Sequence, residues 1–94
     1  MSTWYKQGVF GELTQEAAEG LRKLEKVFKH IEDIYVTSVR EGTHGIGSLH
    51  PSGKAFDIRH PKEISIHEVR GALGNDFDVV EEPSHIHIEF DPKD

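Results

Sequence analysis

The chain has 94 residues, with 17 acidic and 11 basic side chains for a formal charge of −6, seven histidines and no cysteine. That length supports one small domain, stable by about 5 to 14 kcal/mol at the usual yield per residue. The acidic balance argues against broad electrostatic binding to nucleic acid or an anionic membrane, and no apolar run approaches the ~18 residues of a membrane span. Without thiols there is neither a disulfide nor a thiolate-ligated zinc site, so any bound metal must be held by imidazole and carboxylate.

The run Met1-Ser2-Thr3-Trp4-Tyr5-Lys6-Gln7 lacks the basic-then-apolar layout of a signal peptide. Synthesis in the cytoplasm is therefore expected, with release by another agent if the protein acts outside the cell. Trp4 and Tyr5 are expected to cap the core, with a place flanking the cleft as the alternative.

Residues 13 to 31 carry the clearest helical pattern. Ala17, Leu21, Leu24, Phe28 and Ile31 recur at steps of four and three and form one stripe, while Glu16, Glu19, Arg22, Lys23, Glu25, Lys26 and Lys29 take the rest. Thr14 suits the N-cap, Leu13 can staple onto Ala18, and Lys26, Lys29 and His30 suit the negative C-terminal end. Ile34 to Val39 is β-branched and aromatic and reads as a strand. Glu41 to Gly53, with its glycines, Pro51 and two histidines, reads as a long loop, a class that tends to carry function. A strand over Ala55 to Arg59 ends at Pro61. A second helix follows over Ile64 to Leu73, with Ile66, Val69, Ala72 and Leu73 as its apolar face. After the turn Gly74-Asn75-Asp76 come two strands, Phe77 to Glu81 and His85 to Phe90, joined across Glu82-Pro83-Ser84. This order predicts an α+β fold in which a small antiparallel sheet packs against helices. A single domain over 1–94 is expected, with no repeat or linker.

The last strand alternates, so His85, His87 and Glu89 share one face while Ile86, Ile88 and Phe90 take the other. Two imidazoles at i and i+2 can converge on one point, though the same pattern also describes the solvated face of an amphipathic strand. A second cluster, Ser48-Leu49-His50-Pro51-Ser52-Gly53-Lys54-Ala55-Phe56-Asp57, lets a histidine fold back toward an aspartate seven residues on. Gly53 supplies the bend and Ala55 leaves room beside the carboxylate. Read by spacing alone, His50 is equally a loop residue and Asp57 an exposed strand residue. Taken together, His50, Asp57 and His87 make a set of two imidazoles and one carboxylate, which leaves a fourth tetrahedral position for water, as in catalytic zinc sites.

The pattern Ser48-x-His50-x-x-Gly53-x-Ala55-x-Asp57 followed by His85-x-His87 resembles the signature of zinc D-alanyl-D-alanine carboxypeptidases and L-alanyl-D-glutamate endopeptidases, the bacterial and phage cell-wall peptidases. The Hedgehog signalling domain shares that fold and metal site. The likeness runs from Val36-Thr37-Ser38 through His44 to His85-Ile86-His87, and the segment His-Ile-His-Ile-Glu-Phe-Asp-Pro is similar to the ending of short phage-type members.

The resemblance implies one Zn2+ on His50, Asp57 and His87. It places His85 beside the substrate or against charge on the reacting carbonyl, and puts the general base on Glu82, with Glu81 as the alternative. Arg40 corresponds to the arginine that binds a substrate carboxylate, although Thr37-Ser38-Val39-Arg40 replaces the usual Ser-Gly-Tyr-Arg. Ser48 would brace the loop or bond the substrate, and His44 would flank it. The implied activity is hydrolysis of a peptide bond in the peptidoglycan stem peptide by metal-activated water, performed by a monomer with no nucleic-acid or membrane partner. The alternative is a non-catalytic, zinc-stabilised binding domain of the same fold.

Overall fold

The structure, a computed structural model, describes residues 2–6, 13–39 and 55–92. Its elements in chain order are β1 (Thr3–Tyr5), α1 (Gln15–Phe28), β2 (Ile34–Val39), β3 (Ala55–Ile58), α2 (Ile66–Leu73), β4 (Phe77–Glu81) and β5 (Ile86–Phe90). The fold is α+β, as the order of patterns predicts.

Helix α1 starts at Thr14, whose side chain accepts a hydrogen bond from the Ala17 N–H at 3.3 Å, with Glu16 in the first turn. It stops one turn earlier than the apolar stripe suggests. His30 adopts a left-handed backbone, φ 70°, which reverses the chain, so Ile31 leaves the stripe and is 45% exposed. Helix α2 is set by a capping box. The Ser65 side chain accepts from the Glu68 N–H, and the Glu68 carboxylate accepts from the Ser65 N–H. Gly74, at φ 80°, ends the helix.

The five strands form one sheet in the order β1-β2-β3-β5-β4. Pairing is antiparallel except at the edge, where β1 runs parallel to β2 with Thr3 opposite Ile34 and Tyr5 opposite Val36. The sheet is thus mixed where an antiparallel one was expected. A three-residue strand has too short a period to announce itself, and only its partner's edge defines it. On that edge Trp4 and Tyr5 are 54% and 55% exposed, so of the two expectations the one that buries them on the core does not hold.

One face of the sheet meets the helices. Ala17, Leu21, Leu24 and Phe28 of α1 and Val69 and Leu73 of α2 pack with Ile34, Val36, Phe56, Ile58, Phe77, Ile86 and Ile88. Each large side chain buried there stabilises the fold by about 1.5 to 3 kcal/mol. Because strand residues alternate, the opposite face receives Tyr35, Asp57, Arg59, His87 and Glu89.

Candidate functional site

Strands β3 and β5 are neighbours, and their register sets Asp57 directly opposite His87. The two side chains meet. The Asp57 Oδ1 atom lies 2.7 Å from His87 Nδ1, although the residues are 30 apart in sequence. The other carboxylate oxygen, Oδ2, faces His85 Nε2 at 3.7 Å. Among the described residues Asp57 is the buried polar one, 8% exposed, and its two oxygens are turned toward two imidazoles. On the far side of Asp57, β2 carries an irregularity between Val36 and Ser38 that places Ser38 opposite the aspartate. Such bulges bend a strand and re-aim its side chains, and they are common beside active sites.

His87 is held at both ring nitrogens. Its Nε2 lies 3.1 Å from Glu89 Oε1, two residues along the same strand face. The hydrogen bond with Asp57 and, to a lesser degree, the bond with Glu89 raise the His87 pKa above the ordinary histidine value, against burial, which lowers it.

Glu82 follows β4 directly. Its N–H donates to the His85 carbonyl at 2.8 Å, which continues the β4–β5 pairing and puts Glu82 opposite His85. Counting back along β4, Val80 is opposite His87 and Glu81 is opposite the buried Ile86. By alternation Glu82 therefore shares a face with His87 and Asp57, whereas Glu81 takes the other. Two further contacts position this segment. Ser84 Oγ lies 3.0 Å from His85 Nδ1, and His60 Nε2 donates to the Glu82 carbonyl at 2.6 Å, which requires the proton to sit on Nε2 because the carbonyl only accepts. The other nitrogen of His60 is 3.9 Å from Glu81 Oε2.

Of the residues singled out from the sequence, the structure thus brings together Asp57, His85 and His87, with Glu82 beside them at the strand end. His50, the third expected zinc ligand, and Arg40, His44 and Ser48 lie outside the described residues. Among the described residues, no group of three or more histidine, aspartate and glutamate side chains is arranged to hold a metal ion. The donors present suit zinc in kind. A buried carboxylate faces an imidazole whose other nitrogen rests on a second carboxylate, and carboxylate and imidazole are both donor types that zinc takes.

Glu89 and His60 were missed as functional candidates. The alternation His85-x-His87-x-Glu89 already set Glu89 on the histidine face, so its signal was present in the sequence. His60 had none, because its partner is a backbone carbonyl 22 residues away.

No helix of the described residues is long and apolar enough to cross a membrane. In comparisons with protein-family models, curated proteins and solved structures, nothing matches the chain.

Proposed function

We propose that the protein is a zinc-dependent peptidase that hydrolyses a peptide bond of the peptidoglycan stem peptide, of the D-alanyl-D-alanine carboxypeptidase or L-alanyl-D-glutamate endopeptidase type and with a Hedgehog/DD-peptidase-like fold. The observation that carries this reading is the meeting of Asp57 and His87 across β3 and β5, with His85 against the second carboxylate oxygen. The spacing of the sequence pattern requires that convergence, and an ordinary solvated strand face does not. Asp57, His87 and His50 would hold the metal. Bound there, zinc would supply Lewis acidity toward a carbonyl and a water acidified to a pKa of ~7.

The chain's own residues then have distinct tasks. Glu82 takes the proton of the attacking water and returns it to the leaving amine, a role that contributes typically 10²- to 10⁴-fold. Its main chain is fixed at both ends, by the His85 carbonyl and by His60, so the carboxylate swings on a held backbone. His85, steadied by Ser84, donates toward the carbonyl oxygen of the substrate as charge develops there. Asp57, beyond holding the metal, keeps His87 turned into the site, and Glu89 holds the far side of the same ring.

The test is mass spectrometry of purified peptidoglycan incubated with the zinc-loaded protein, with and without chelator. Fragments of defined cleavage, lost on chelation and lost in Glu82→Ala, are expected, and the fragment masses name the bond. A zinc-binding protein that releases no fragment would instead be the non-catalytic, zinc-stabilised domain.

A further inference from the structure

A cleft of about 320 Å³ opens at the end of the sheet where the chain leaves β3, next to the segment that carries Glu82 and His85. Its volume lies at the lower end of the range for ligand sites and suits one or two residues of a peptide. Two carboxylates lie on its wall, and both are already occupied. Glu32 accepts from the N–H groups of Lys62, Glu63 and Ile64, and Asp33 accepts from the Ser2 N–H and the Trp4 indole.

The guanidinium of Arg59 is different. It sits over the Tyr35 ring, 4.4 Å from the centroid, and among the described residues no hydrogen bond or ion pair engages its N–H groups. The cation–π contact holds the group in place and leaves its donors unengaged, as bidentate capture of a carboxylate requires. Lys62 adds a second cation to the same wall, while Ile31, 45% exposed, and Tyr35, 37% exposed, offer an apolar surface for an aliphatic chain. Arg59 also stands two residues beyond Asp57, hence on the same sheet face about 7 Å along the strand.

We infer that this cleft is a subsite for an acidic peptide residue, with Arg59, held over the Tyr35 ring, taking its carboxylate and Lys62 supporting the charge. The identity of the peptide as a stem peptide rests on the peptidase reading above; the binding of a carboxylate does not. A substrate whose reacting bond sits near Glu82 would lay its neighbouring acidic residue here, because His60 ties the Glu82 main chain to the cleft wall.

The probe is N-acetyl-D-glutamate, which has no inter-residue peptide bond to hydrolyse, against the same molecule with both carboxyls amidated, titrated into the isotope-labelled full chain and followed by amide resonances. The acid should shift Tyr35, Arg59, His60 and Lys62. Its affinity should fall roughly tenfold or more on amidation and in Arg59→Gln, with partial retention in Arg59→Lys. Equal binding of acid and diamide by the wild-type chain, or shifts centred on Asp57, His85 and His87, would overturn the inference. So would stem-peptide hydrolysis by Arg59→Gln at the wild-type KM, a result that leaves the peptidase reading standing. Acid-selective binding together with an absence of peptidoglycan fragments would remove the peptidase reading and keep the subsite.

Discussion

Glu89 Oε1 sits 3.1 Å from His87 Nε2, on the nitrogen opposite the one that faces Asp57. In the proposed zinc site a carboxylate in that place would orient the imidazole without touching the metal, and losing such a partner typically costs 10- to 100-fold in metal affinity. Glu89→Gln is therefore expected to weaken zinc binding by about that factor, measured by competition with a chromogenic chelator, while Asp57→Ala loses the ion altogether. Zinc retention should also fall in mild acid, because imidazoles that hold zinc as proposed must be neutral. Wild-type zinc affinity in Glu89→Gln would remove Glu89 from the site.

The two adjacent glutamates at the end of β4 separate by face. Glu82 shares the face of His87, whereas Glu81 lies opposite buried Ile86 and beside His60. Glu82→Ala should keep zinc and lose activity by roughly 10²- to 10⁴-fold. Glu81→Ala should retain turnover. The reverse pattern in stem-peptide cleavage assays would move the base by one residue.

Glu32 ties the α1–β2 connection to the chain ahead of α2, accepting from the N–H groups of Lys62, Glu63 and Ile64 at 2.8, 2.6 and 3.1 Å. Burial by itself would raise its pKa, but the three backbone donors and the Lys62 charge outweigh that and hold it below the ordinary glutamate value. A folded-state pKa below the unfolded one makes the contribution to stability present above the unfolded value and lost as pH falls through the folded value. Thermal midpoints of the wild-type chain should thus drop on acidification, and Glu32→Ala should be destabilised by about 1 to 2 kcal/mol near neutrality, since water can partly replace the carboxylate at these amides. The gap between the two proteins should close in acid. An unchanged gap across that range would show that the carboxylate charge is immaterial.

Gly20, in the middle of α1, has a different reason to exist. A Cβ there would come within 2.6 Å of the Phe77 ring, which itself packs edge-on against Phe90 with centroids 5.4 Å apart. Helix propensity favours alanine by about 1 kcal/mol, and overpacking costs about 1 to 3 kcal/mol. Gly20→Ala should therefore be neutral to destabilising by about 2 kcal/mol in chemical denaturation, and a stabilised variant would mean that Phe77 moves aside freely.

Much of the fold was legible in the sequence. The four-and-three spacing of Ala17, Leu21, Leu24 and Phe28 predicts α1 and its buried face, and the β-branched run Ile34 to Val39 coincides with β2. Alternation in β5 separates Ile86 and Ile88 from His87 and Glu89 before any partner strand is known. These are short-range properties, because rise and twist per residue decide which side chains share a face.

What the tertiary structure alone decided is who stands opposite whom. Strand order places β3 beside β5, so Asp57 meets His87; a parallel edge strand recruits Thr3–Tyr5; and His60, Arg59 and Glu32 acquire their partners from segments 22 to 32 residues away or from a neighbouring strand. Ile31 left the apolar stripe because one left-handed residue turned the chain, and Gly20 is explained only by a ring from β4. Such pairings depend on which surfaces bury together across the whole chain, a nonlocal balance that no spacing within one segment encodes.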